Sequence, residues 1–146
     1  MKSLRQFLRL RHTDRLLLLQ IIVALPIVAM ALSACGFKRT YVGLSKLAGS
    51  DRACGDPETY KGQVKRWVRF VKQRGPFRGN CLSRSLVAWW LLRRRGMEAD
   101  LHIGTCKYSG KFRAHAWIEH RGQPVNAGPR VRERYIAFQQ FPVKES

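Results

Sequence analysis

The stretch that most limits how this chain can fold runs from Asn80 to Gly96 and reads Asn-Cys-Leu-Ser-Arg-Ser-Leu-Val-Ala-Trp-Trp-Leu-Leu-Arg-Arg-Arg-Gly. Both of its ends carry helix-boundary signals. The Asn80 side chain suits the N-cap, where an oxygen accepts from an N–H that the first turn leaves unpaired. Arg93, Arg94 and Arg95 complement the negative end of the helix dipole, and Gly96 stands where a left-handed residue is wanted. Between Leu86 and Leu92 nearly every face is apolar, which predicts a central, buried helix rather than a surface one. Cys81 falls on the first helical position. There the free N–H groups and the positive end of the dipole favour a thiolate over a thiol.

The remainder of the chain has to cover that helix, and 146 residues suffice for one compact domain with a real core. Lysine and arginine number 28 against 9 acidic residues, for a net charge of +19. This balance leaves nucleic acid, an anionic membrane surface and an acidic protein or peptide open as partners, and it says little about fold. The cysteines (35, 54, 81 and 106) form no C-x-x-C pair and stand at no zinc-ligand spacing from His12, His102, His115 or His120. No metal and no cofactor is therefore expected. An exported chain could use the even cysteine count for disulfides; in a cytosolic one they read as reduced thiols, most of them packing residues.

The first fifteen positions are basic, with Lys2, Arg5, Arg9, Arg11 and Arg15, and lead into an apolar run from Leu16 to Ala34 that contains Pro26. Three readings stand: a helix packed on the domain or apposed to a membrane and interrupted near Pro26, a lipoprotein signal with Leu32-Ser33-Ala34-Cys35 as its box, or a membrane span. Lys38 and Arg39 put positive charge after the run as well, so orientation is unsigned. Tyr41 to Ala53 reads as a connection with Gly43, Gly49 and Ser50 as breakers. A second helix starts at the Asp56 cap with Pro57 and Glu58 in its first turn. Val64, Trp67, Val68 and Val71 form its apolar face, and Gly75-Pro76 ends it. Its Lys and Arg residues read as a solvated face or, less simply, as a phosphate-binding one.

Beyond Gly96 the apolar period changes from helical to alternating. Asp100 to Cys106 and Phe112 to Glu119 read as strands joined at Tyr108-Ser109-Gly110. His120-Arg121-Gly122 reads as a second turn and Gln123 to Ala127 as a short third strand. On the second strand Arg113, His115, Trp117 and Glu119 share one face, and Phe112, Ala114, Ala116 and Ile118 the other. The tail from Pro129, basic and then aromatic at Tyr135, Phe138 and Phe141, is expected to wrap back on the core. Helices followed by an antiparallel meander define an α+β fold. The chain divides at about residue 50, with residues 1–50 as a basic start and hydrophobic helical lead-in and 51–146 as the domain proper.

A cysteine at a helix start, a histidine on a following strand and a polar side chain on the next are the parts of a Cys-His-Asn/Asp hydrolase. Cys81 would attack a carbonyl and His115 would protonate the leaving amine and then activate water. Asn126 would hold the ring in its working tautomer, and N–H groups at the helix start would meet the oxyanion. By spacing alone, Cys81 reads sooner as a packed core cysteine than as a nucleophile, and His115 sooner as a hydrogen-bonded core histidine than as a base. His102 and His120 are weaker candidates, the second because it falls in a predicted turn. The reading from another class is a basic nucleic-acid-binding module with Trp67, Trp89 or Trp90 as stacking platforms. No RNP, zinc-finger or helix-turn-helix signature supports it, and these tryptophans lie on apolar faces.

Several motifs in order then carry a resemblance: Cys81-Leu82-Ser83-Arg84-Ser85-Leu86, Leu91-Leu92-Arg93-Arg94-Arg95-Gly96, Ile103-Gly104, Arg113-Ala114-His115-Ala116-Trp117-Ile118-Glu119, Gly122 and Pro124-Val125-Asn126. Over roughly 64–138 the chain resembles the B proteins of lasso-peptide biosynthesis, which have a transglutaminase-like, papain-related cysteine protease domain. The apolar N-terminus also looks like that family's helical lead-in. The resemblance implies a leader peptidase that cuts a ribosomally made precursor and hands the core peptide to an ATP-dependent, asparagine-synthetase-like cyclase. It implies the stand-alone protease half, working with a separate leader-recognition protein in the cytoplasm, with association to a membrane surface open and no nucleic acid partner. Cys81 matches the family's nucleophile and His115 its base. Where the family usually has Asn-Asp this chain has Asn126-Ala127, so the expected carboxylate is missing. Asn126 or Glu119 would have to orient the ring, or the chain would serve as a non-catalytic scaffold; acyl transfer to an amine on the same residues is a further alternative.

Overall fold

The computed structural model describes residues 11–49, 55–77 and 79–141, with side chains described as far as residue 137. The basic residues Lys2, Arg5 and Arg9, together with Cys54 and the side chains of Phe138 and Phe141, lie outside what is described. Within it, three helices precede a sheet, α1 (His12–Leu47), α2 (Pro57–Arg74) and α3 (Cys81–Arg94), and a one-turn helix α4 (Val131–Arg134) follows later. The strands are β1 (Asp100–Tyr108), β2 (Lys111–His120), β3 (Gln123–Pro124) and β4 (Ile136–Phe141), in the spatial order β3-β2-β1-β4 and antiparallel throughout. This is the α+β arrangement expected.

α3 is the hub. Leu86, Val87, Ala88, Trp89, Leu91 and Leu92 are all buried, and the helix touches α1, α2, β1 and β2. Its ends are built as the residues predict. Asn80 Oδ1 accepts from Ser83 N–H at 2.8 Å while Ser83 Oγ accepts from Asn80 N–H at 3.0 Å, a reciprocal cap. At the other end Gly96 takes φ +69°, with its N–H on Arg93 O at 2.9 Å and Met97 N–H on Leu92 O at 3.1 Å, a Schellman closure. On α2, Asp56 caps Thr59 N–H at 2.9 Å, and Val64, Trp67, Val68 and Val71 are buried as their spacing predicts.

Two parts of the helical region differ from expectation. α1 continues through Pro26 and breaks instead at Gly36, where φ is +76°. It also runs through Tyr41–Leu47, which reads as a connection in the sequence. The cause is tertiary: Tyr41 stacks on Trp89 with ring centroids 4.7 Å apart and on Phe37 at 5.8 Å, and such packing outweighs the weak breaking tendency of a single Gly43. One face of α1 (Leu17, Leu18, Ile21, Leu25 and Val28) enters the common hydrophobic core. The other leaves Leu16, Leu19, Val23, Ile27 and Met30 at least half exposed.

In the sheet, both hairpin turns place consecutive residues at positive φ, Ser109-Gly110 and Arg121-Gly122, as tight antiparallel connections require. His120 is not in a turn: it ends β2 opposite Gln123, is buried, and its Nδ1 bonds the Glu98 carbonyl. β3 is shorter than expected, and the tail supplies a fourth strand, β4, along the free edge of β1. The β1–β4 register shifts between Ile103 and Gly104. A side chain at Gly104 would come within 2.8 Å of Ile136 O and 3.0 Å of the Trp117 ring, so only glycine lets the strands meet there.

Candidate active site

Cys81 and His115 are brought together. The Cys81 thiol hydrogen-bonds with the His115 ring, and that bond is the main reason its pKa falls to about 7. Burial works in the opposite direction, while the backbone N–H of Ala116, the charge of His115 and the Arg84 guanidinium add to the lowering. The thiolate is therefore a major species at neutral pH, and it is the nucleophilic form. The His115 ring is half-buried, tilted on Tyr135 with centroids 5.0 Å apart and stacked on Trp117 at 6.1 Å, so aromatic neighbours limit its rotation.

The placement of these groups follows from how β2 loses its neighbour. β3 ends at Pro124, which cannot donate to the ladder, and the edge of β2 beyond it is completed mostly by side chains. Ala116 N–H bonds the Cys81 sulfur, and Ala116 O accepts from Ser85 Oγ at 2.9 Å. Ile118 N–H donates to Asn126 Oδ1 at 2.8 Å, and Ile118 O accepts from Val125 N–H at 2.9 Å. Asn126 Nδ2 in turn donates to Ser85 Oγ at 2.8 Å. Cys81 and Ser85, one helical turn apart on the same side of α3, thus dock the helix on β2 next to His115.

Asn126 shares the cleft with Cys81 and His115, yet both ends of its amide are engaged with Ile118 and Ser85. In this arrangement it positions strand and helix rather than holding the His115 ring. Glu119 is also committed: it is 1% exposed and accepts from Trp117 Nε1 at 2.9 Å and Arg132 Nε at 2.8 Å, with a second contact to the same guanidinium. Burial would raise its pKa, but the bonds from Arg132 and Trp117 and the nearby His102 hold it below the ordinary carboxylate range. His102 is buried against Trp117, with Nε2 3.4 Å from Glu119, a structural role. Ala127 puts a methyl group beside His115, lining both the cleft at Cys81 and a neighbouring hollow under Tyr135.

The cleft measures about 460 Å³, within the range of ligand sites. Cys81, His115 and Ala116 form its floor, α2 one wall, and Ala127, Gly128 and Pro129 the other. Of the first-turn N–H groups on α3, that of Ser83 is taken by Asn80, so an oxyanion would be met by Cys81 or Leu82. Gly79 shapes the entry to this turn. Its φ is +59°, a side chain there would come within 2.6 Å of Ser83 Oγ, and its carbonyl accepts from Arg84 at 2.6 Å. Ser85 and Gly79 carry the site without standing out in sequence; the one signal for Ser85 is a hydroxyl one turn after Cys81 inside an otherwise apolar helix. Among the described residues no group of His, Cys, Asp and Glu could hold a metal ion, and Cys35, Cys81 and Cys106 are free thiols.

A helical layer carrying a cysteine at a helix start, against an antiparallel sheet carrying its histidine, is consistent with a transglutaminase-like domain. The chain belongs to the transglutaminase-like superfamily, whose family model matches residues 18–139, a fold typical of cysteine peptidase-like proteins. No curated protein and no solved structure matches the chain.

Proposed function

We propose that this protein is a cysteine peptidase that removes the leader from a ribosomally made lasso-peptide precursor and supplies the core peptide to an ATP-dependent, asparagine-synthetase-like cyclase. The observation that carries the peptidase reading is the Cys81–His115 hydrogen bond, with a thiol pKa of about 7, on the floor of an open cleft. Cys81 attacks the scissile carbonyl, His115 passes a proton to the leaving amine, and water activated by the same ring releases the acyl-enzyme. The lasso-peptide assignment rests on the motifs around Cys81, His115 and Asn126. Its partners are the precursor leader, a separate leader-recognition protein and the cyclase. The protein acts in the cytoplasm with α1 against a membrane surface; the membrane contact is supported by the length and apolar composition of α1 and by its exposed apolar face.

A second reading, a non-catalytic scaffold presenting precursor to the cyclase, draws on Ala127 and on the engaged amide of Asn126. Mass spectrometry of a precursor incubated with this protein and a leader-binding partner separates the two. Leader and core fragments that vanish with Cys81→Ala support the peptidase; an intact precursor, or cleavage that survives Cys81→Ala, defeats it. An amine in place of water in the product identifies acyl transfer.

A further inference from the structure

One side of α2 lines the same cleft as Cys81, and the charge it brings there is of a single sign. Lys65, Arg69 and Lys72 line it at successive turns, and Arg84 lines it from α3 beside the thiol. Among the described residues, no aspartate or glutamate lines the cleft. Lys65, Arg69 and Lys72 are exposed, whereas Val68 between them is buried under the cleft. From Lys65 to Lys72 the row spans about 10 Å along the helix axis, the reach of roughly three residues of extended peptide.

We propose that the cleft selects peptides bearing a short acidic segment within a few residues of the bond presented to Cys81, the carboxylates lying along Lys65, Arg69 and Lys72. This inference rests on the peptidase reading for its consequence but not for its geometry. A row of cations beside a reactive thiolate holds an anionic chain close to the reacting atom and repels a cationic one. A polypeptide suits the cleft better than a nucleic acid. The floor carries a thiol and an imidazole suited to acyl chemistry, and of the stacking platforms for bases Trp67 and Trp89 are buried and Trp90 is half-buried, none of them lining the cleft.

The test uses the full chain and three labelled peptides that differ only near the target bond: Glu-rich, with Gln in place of each Glu, and with Lys in place of each Glu. Binding to Cys81→Ala protein is read by fluorescence anisotropy, and cleavage by wild-type protein is read separately, with the same peptides carried on the precursor leader and the leader-binding partner present. The expected order of affinity is Glu over Gln over Lys, with about a tenfold step between the first two that shrinks as salt rises. The charge-reversed K65E/R69E/K72E protein is expected to invert the order, binding the Lys peptide best, while its melting temperature stays near that of wild type. Equal binding of the three peptides, or no inversion in the reversed protein, overturns the proposal. So does displacement of the Glu peptide by an oligothymidine of equal charge at lower concentration, which would assign the wall to nucleic acid. If the peptides bind in the expected order but none is cut, the substrate class stands and the peptidase reading falls.

Discussion

At the level of single residues, the chemistry is concentrated in one contact, and its pH behaviour follows from the direction of the shift. A thiol whose folded pKa is lowered to about 7 adds stability that is fully present above the pKa of an unfolded thiol and is lost as pH falls through 7. Stability attributable to Cys81 is therefore expected to rise between pH 7 and 9, and Cys81→Ser to flatten that rise in denaturant titrations. His115→Ala removes the main cause of the shift. The pH midpoint for alkylation of Cys81 should then climb toward about 8.5, the free-thiol range, and a midpoint that stays near 7 would move the credit to Arg84 and Ala116. Ala127→Asp places a carboxylate beside the ring and is expected to keep or raise cleavage; a loss would show that the family's carboxylate has no place here. The place of Cys81 was legible in sequence because its signals are local: a cap at Asn80, a helix start, a glycine stop. The work of Ser85 and Asn126 was not, because their partners are backbone groups of β2, which for Ser85 lie 31 residues away in the chain and which no side-chain pattern reveals.

Among the elements, the same division between local and distant causes explains what the sequence showed of the fold. α2, α3 and the two hairpins announce themselves through caps, periodicity and turn residues. β4 did not, since it exists by pairing with β1, and the last turns of α1 did not, since Tyr41 is held by Trp89. Tertiary contacts of this kind override propensity. α4 matters more than its length suggests, because Arg132 ties it to buried Glu119, four residues along β2 from His115. Arg132→Ala leaves that carboxylate with Trp117 and His102, and because the guanidinium it removes is largely exposed, water can reach the vacated side. The expected cost is about 1 kcal/mol, read as a lower denaturation midpoint with an unchanged slope. Arg132→Lys, which keeps the charge but not the fork, should recover only part of it.

Over the whole molecule, α1 has two opposed faces, and they predict opposite results. Leu25→Ala opens a cavity in the common core and should cost about 2–5 kcal/mol. Leu19→Glu with Ile27→Glu changes only exposed positions; it should leave melting nearly untouched while abolishing co-sedimentation with phosphatidylserine vesicles. Binding that survives the double substitution would remove α1 from the membrane contact. The completion of β2 by Cys81, Ser85 and Asn126 has its own consequence at this scale. A strand whose neighbour stops early presents unpaired N–H and C=O groups, a template on which another chain can add itself. Here Cys81 and Ser85 of α3 cover that edge at Ala116 while Val125 and Asn126 cover it at Ile118, so the helix that bears Cys81 also helps to block strand addition. Ser85→Ala and Asn126→Ala are then expected to form soluble aggregates on light scattering before they lose helical content. In such variants, lost activity must be compared at matched monomer concentration before it is assigned to chemistry.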